Sequence, residues 1–277
     1  VTFDPGQLGR SGQELAKLLR DLRKRAGLSG VRLAARCNMS QSKVSRIESG
    51  KVRPSLVDIR QILRALDAPP KAIEEISALA RQANTEWRNL RELRRKGLAT
   101  RQAELKALEA SSVHMRYFLL SMVTGLLATP EYVRASLAHS SADTSRAAAG
   151  KLERQAVLYD TAKRFTFILT EQAVRWPVVA PPALAEQMDR LASLSHLPNV
   201  RIGVLPVGEP TQRVPLSTFT VYDSTLVTIE TTSGSLFLHD GRDVQSYLDE
   251  FSGYEKSALF DDAAREKLAA WAAACRS

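Results

Sequence analysis

The sequence predicts a multidomain chain: an all-helical front unit, a helical linker, and a rear α+β domain with a mainly antiparallel sheet. Three observations lead there. Apolar residues recur at helical spacing through the front of the chain, they switch to a period of two from Phe165 onward, and the positive charge sits entirely in front. Up to Ala110 there are 23 Lys and Arg against 12 Asp and Glu, whereas from Ser111 the counts are 16 and 18. With 277 residues, the chain is long enough for more than one core. The expected division is 1–69 for the front unit, 70–110 for the linker and 111–277 for the rear domain.

The front unit reads as a row of short helices. Leu15, Leu18, Leu19, Leu22 and Ala26 mark the first, which Gly27 stops. Ser29 caps a second that carries Leu33 and Ala34 inward, ending near Asn38. Ser40 caps a third with Val44 and Ile47 as its buried pair and Gly50 past its end. Ser55, with Asp58 three residues on, opens a fourth holding Ile59, Ile62, Leu63 and Leu66. Helical spacing then continues through Ile73, Ile76, Leu79 and Ala83 into "EWRNLRELRRKG", residues 86–97, where Arg88, Arg91 and Arg95 would share one helical face. That face is either an extra phosphate contact or the wet side of a connecting helix. A further helix is expected over about 100–121, ended by Gly125.

"LLATPEYVRA" follows, with Thr129 as cap, Pro130 in the first turn and Glu131 at the positive helix end. Residues 140–150 read as a loop or frayed helix, and 151–163 as a helix. "RFTFIL", "VRIGVLPV" (200–207), "STFTVYD" (217–223), "LVTIETT" (226–232) and "SLFLH" (235–239) alternate as strands. The last three are separated by so few residues that an antiparallel meander is the simplest arrangement. Helices over about 242–259 and 262–274 close the chain.

Several function classes lose ground at once. Cys37 and Cys275 lie at opposite ends, and the four histidines lack ligand spacing, so no disulfide framework, metal site or cofactor is expected. No glycine elbow surrounds a serine, so Ser217, His239 and Asp240 make a triad only on paper and no catalytic residue is assigned. The longest apolar run, Tyr117–Ala128, is 12 residues against the about 20 that a membrane span requires. With no apolar stretch at the start of the sequence, a cytoplasmic location without membrane contact is expected.

Two short helices joined by a tight polar turn inside a basic unit describe a helix-turn-helix. Its second helix, "SQSKVSRIESG", would be pinned by Val44 and Ile47 and would present Gln41 and Ser42 in its first turn and Arg46 one turn later. Gln matches adenine's paired donor and acceptor, and Arg matches guanine's two acceptors, so these three are the expected base readers. Ser40, Lys43, Ser45, Lys51 and Arg53 flank them as phosphate contacts. The competing reading is that Ser, Gln, Lys and Arg merely form the solvated face of an amphipathic helix.

The run from Leu19 to Leu66 resembles the Cro/phage-repressor class of helix-turn-helix regulators, the XRE family. Leu33-Ala34, Ser40-Gln41-Ser42, Ile47-Glu48-x-Gly50 and Pro54 carry the resemblance. It implies that Arg23, late in the first helix, pairs with Glu48 as a structural ion pair. Where the family often has a phosphate-bracing Gln after the cap of the second helix, this chain has Gly30. The rear part resembles the domain of unknown function found in actinobacterial antitoxin-like transcriptional regulators, through "GLLATPEYVRA", "NVRIGVLPVG" and "VTIETTSGSLFL". The first of these has Ala128 where Gln is usual.

These resemblances imply a transcriptional regulator, a repressor acting as a homodimer on a pseudo-palindromic double-stranded DNA operator. Its rear domain would dimerise or receive a signal from a ligand or from a small partner protein encoded nearby. The alternative is an antitoxin-like protein that neutralises a partner and binds DNA mainly to autoregulate. Glu230, Trp176 and Tyr222 are the residues that could line a ligand or partner pocket, although core packing or solvent would also explain each.

Overall fold

A computed structural model describes residues 8–52, 54–89, 98–138, 144–208, 214–231 and 234–277. The front of the chain is helical: α1 (Leu8–Arg25), α2 (Gly30–Arg36), α3 (Gln41–Glu48), α4 (Leu56–Ala65) and α5 (Pro70–Asn84). Each of the short helices starts at an expected cap. Ser29, Ser40 and Ser55 accept from the amides of Arg32, Lys43 and Asp58, and Ser55 with Asp58 closes a full capping box. Asn38, Gly50 and Asp67 end α2, α3 and α4 in the left-handed region, where the following amides return to the last-turn carbonyls. At Gly50 the φ of 71° is the one that glycine adopts without strain.

Leu15, Leu19, Leu33, Val44, Ile47, Ile59, Ile62 and Leu63 form one core. Ile76 and Ala80 of α5 belong to it, with Ile73 packed alongside, so the helix expected as the start of a linker is part of the front unit.

The rear part is a seven-stranded mixed sheet in the order β1-β7-β6-β5-β2-β3-β4. The strands are β1 (Thr85–Asn89), β2 (His114–Leu119), β3 (Arg164–Thr170), β4 (Val200–Leu205), β5 (Phe219–Tyr222), β6 (Leu226–Glu230) and β7 (Gly234–Leu238). The helices are α6 (Leu98–Ser111), α7 (Pro130–Leu137), α8 (Ser145–Arg154), the short α9 (Glu171–Arg175), α10 (Pro181–Leu194), α11 (Gly241–Ser257) and α12 (Asp261–Arg276). Strands β5, β6 and β7 form the expected antiparallel meander, while β2, β3 and β4 are parallel. Both faces are covered. Met115, Tyr117, Leu119, Phe165, Phe167 and Leu169 face the core that includes Met188 of α10 and Leu268 of α12. Phe118, Ile168, Phe219 and Val221 face Val244, Phe251 and Tyr254 of α11. Gly203 of β4 must be glycine, because a Cβ there would stand 2.6 Å from the Phe260 ring.

Three expectations need correction, and one helix was not expected. The helix proposed for 100–121 ends at Ser111, and His114–Leu119 is a central strand. A strand buried on both faces is a nearly continuous apolar run, which helical and strand periods fit alike. Thr85–Asn89 is a strand paired with β7 instead of a helix, because the sheet edge offers it a hydrogen-bonding partner. Arg88 therefore lies in a strand, and Arg91 and Arg95 lie outside the described residues. The helix expected over 151–163 runs Ser145–Arg154 and passes into a 3-10 turn at Gln155–Tyr159. Finally, α10 has no counterpart in the sequence reading, although Pro181 opens it and Leu184, Met188 and Leu191 recur at helical spacing along it.

Candidate nucleic-acid interface and rear cavity

The third helix owes its position to two buried side chains and one ion pair. Val44 and Ile47 are sealed in the front core, and the opposite face carries Gln41, Ser42, Ser45 and Arg46, all exposed. Arg23 of α1 grips the carboxylate of Glu48 through Nε (2.6 Å) and Nη2 (2.8 Å), while its Nη1 donates to the Leu28 carbonyl. The bonds to Glu48 hold the Arg23 guanidinium above its ordinary pKa against the opposing effect of burial. The pair joins the end of α3 to α1 and to the loop before α2, and so fixes the angle at which the polar face is offered.

Among the residues expected at DNA, Ser40 is committed as the N-cap and lies 3.2 Å from the Ser42 hydroxyl. Arg46 folds back along its own helix, Nε donating to the Ser42 carbonyl at 3.3 Å, which gathers it with Ser42 on one turn. Lys43 reaches Asp58 of α4 at 2.7 Å. Lys51 is exposed beyond the helix end, and Arg53 lies outside the described residues. Gly30 stands at the edge of an open cleft bordered by Arg20, Gln41, Ser45 and Glu48, and a Cβ there would meet nothing within 4 Å. The amides of Gln41 and Ser42 lie in the first turn of α3, where the intrahelical ladder leaves donors unpaired and the helix end is positive.

The rear domain contains a cavity of about 160 Å³ between the sheet and the helices α6 and α8. Tyr222 and Glu230 line it; Trp176 does not. Trp176 caps the end of α9 and is 53% exposed, so the sequence reading is corrected both as to pocket and as to core.

Residues that the sequence reading missed complete the wall: Gln102, Lys151, Arg154, Thr218, Thr220 and Thr228. Arg154 is buried and forked onto Glu109 through both Nε (2.9 Å) and Nη2, with Nη1 on Gln102 at 2.7 Å. Burial alone would lower the Arg154 pKa, but the Glu109 contacts overcome it and the group is raised. Burial drives Tyr222 well above the ordinary phenol range, with the nearby Glu109 adding to it. One signal for the threonines was present in the sequence. Thr218, Thr220 and Tyr222 alternate with Phe219 and Val221, and Thr228 and Glu230 with Val227 and Ile229, so a polar stripe runs along strands that are buried on both faces as far as the exposed Glu230.

Met122–Gly125, which lead into "GLLATPEYVRA", line the cavity. Leu126, Leu127 and Ala128 of that motif are buried, so the backbone carbonyls of the segment need internal partners. Gln155 serves Gly125 and Ala128, and Gln187 serves Leu127 while accepting from the Thr129 amide.

Among the described residues no group of His, Cys, Asp and Glu could hold a metal, and no helix is long and apolar enough to cross a membrane. No curated protein matches the chain. Among solved structures it is similar to a phospholipase D family member, Nuc, from Salmonella typhimurium, at 10% identity over 58% of this chain and 90% of that one, with a TM-score of 0.35. It is also similar to NucT from Helicobacter pylori, at 10% identity over 63% and 97%, with a TM-score of 0.37. A third similar structure is TrmBL2, an archaeal chromatin protein, at 11% identity over 73% and 66%, with a TM-score of 0.35. A family model described as a helix-turn-helix domain matches residues 14–76, and one described as a domain of unknown function (DUF5753) matches residues 102–270. The chain thus belongs to the DUF5753 family, with a helix-turn-helix DNA-binding domain in front of the family domain.

Proposed function

We propose that this protein is a sequence-specific transcriptional repressor that binds a pseudo-palindromic operator as a homodimer, its rear domain receiving the signal that sets occupancy. The observation that carries the reading is the third helix. Val44, Ile47 and the Arg23–Glu48 fork hold it on one side, and its free side gathers Gln41, Ser42, Ser45 and Arg46. A helix fixed in this way enters the major groove without losing side-chain order in the core behind it. Gln41, Ser42 and Arg46 read base edges, while the first-turn amides, Ser45 and Lys51 meet phosphates. Lys43 shares its charge between Asp58 and the backbone of the duplex. The rear domain binds and transmits; it does not catalyse.

Footprinting of the full chain on the region upstream of its own gene tests this. Protection of two half-sites about 34 Å apart is the expected result. Uniform weak coverage that vanishes with salt would overturn it.

A further inference from the structure

We infer that Arg20 of α1 clamps one phosphate of the DNA backbone over the open cleft beside α3. The inference rests on the DNA-binding reading proposed above and adds a residue to it. Arg20, Gly30, Gln41 and Ser45 border the cleft together with the Arg23–Glu48 pair. The charges there do not cancel. Arg23 gives Nε and Nη2 to the two carboxylate oxygens of Glu48 and Nη1 to the Leu28 carbonyl, so that cation and that anion are committed to each other. Arg20 is exposed, and among the described residues its guanidinium has neither a hydrogen bond nor an ion pair.

Its own helix gives Arg20 no partner. The neighbours three and four residues away are Ala16, Lys17, Arg23 and Lys24, without an acid among them, and like charges at that spacing weaken a helix. Arg23, Lys24 and Arg25 lie in the last turn of α1, where the negative helix end favours cations. Arg20 lies ahead of that turn, so the helix end does not account for it.

A polyanion supplies the missing charge. Gln41 and Ser45, both exposed, border the same cleft, and Gly30 at the start of α2 puts no side chain over it. A duplex that meets the polar face of α3 therefore brings backbone phosphate within reach of Arg20. The planar guanidinium can donate two parallel bonds to phosphate oxygens, and the Ser45 hydroxyl a third. Such a contact carries no sequence information. It fixes, from the α1 side, the depth and register at which Gln41, Ser42 and Arg46 meet the bases.

Titration of the full chain against a duplex carrying the region upstream of its own gene, and against a shuffled duplex of the same composition, over a range of salt concentrations tests the clamp. Arg20→Ala should weaken both duplexes alike, by about tenfold at physiological salt, and should make the fall of log affinity with log salt shallower by roughly one unit. Arg20→Lys should keep the parent slope with only part of the affinity, because lysine holds the charge without the two-pronged geometry. Lys24→Ala removes an exposed cation that does not border the cleft, and should leave affinity and slope near those of the parent chain. Replacing one phosphate at a time by an uncharged methylphosphonate should reveal a position that weakens the parent chain and not Arg20→Ala. The inference falls if Arg20→Ala keeps the parent slope, if Lys24→Ala loses as much as Arg20→Ala, or if no phosphate position separates parent from Arg20→Ala. Any of these results, with the parent chain preferring the upstream duplex, removes only the clamp. Equal, weak binding of both duplexes with the Arg20 slope change intact removes sequence reading and leaves the clamp, and a parent chain that binds no duplex removes both.

Discussion

Both parts of the molecule contain an arginine forked onto a glutamate, and the two forks differ in what surrounds them. In front, Arg23 and Glu48 lie between α1 and α3 with side chains 14% and 9% exposed. In the rear, Arg154 and Glu109 are 6% and 1% exposed beside a cavity, with Gln102 completing the network. The front fork ties together two helices that a hydrophobic core already holds, so it sets an angle. The rear fork keeps a charge alive inside the domain, and each partner is there to satisfy the other. The comparison shows that equal bonding geometry does not imply an equal contribution, because the cost of breaking a pair follows from where the surviving charge is left.

The largest expected effect sharpens that difference. Glu109→Leu strands the Arg154 guanidinium and should destabilise the rear domain by about 3–5 kcal/mol in urea unfolding, whereas the double change Glu109→Leu with Arg154→Met should recover most of the loss. Equal losses in the single and double variants would mean that the fork is worth more than its burial costs. Next comes the reading face. Arg46→Ala should cost about 1–3 kcal/mol of duplex affinity and relax one base position, while Lys51→Ala should flatten the salt dependence by roughly one unit at every sequence.

Glu48→Ala should cost only about 1–2 kcal/mol of stability, since the front pair is partly wet, yet it should also weaken specific DNA binding although Glu48 touches no base. Stability loss with unchanged affinity would show that the fork does not set the helix angle. The smallest effect is a gain. At Gly30, in the first turn of α2, a Cβ meets open space, so Gly30→Ala should add about 0.4–1 kcal/mol to the thermal stability of the front unit.

The front unit was legible in the sequence because its signals are local. A cap, a buried pair and a left-handed residue at each end lie within about ten residues of one another, and the observed helices begin at Ser29, Ser40 and Ser55 as those signals require. The rear domain was legible where its signals are local too, in the alternation of β3 to β7 and in the caps and helical spacing of α7, α11 and α12. Strand β2 was hidden because its neighbours β3 and β5 come from some 50 and 100 residues away, and Met115–Leu119 takes its conformation from them. The cavity was hidden for the same reason. Arg154 and Glu109 are 45 residues apart, and nothing short of the folded sheet brings Gln102, Lys151 and Thr228 to one space. Trp176 misled because a large aromatic side chain suggests packing, whereas at the C-terminal end of α9 it is exposed.

If the free side of α3 reads sequence, duplexes of different sequence should compete unequally for it. Selection of bound duplexes from a random pool by the full chain, at physiological salt, tests it most directly. Enrichment of a two-fold symmetric motif bound about a thousandfold or more above the starting pool is the expected result, with the enrichment lost at one position in Arg46→Ala. A selected pool that binds no better than the random one would contradict it.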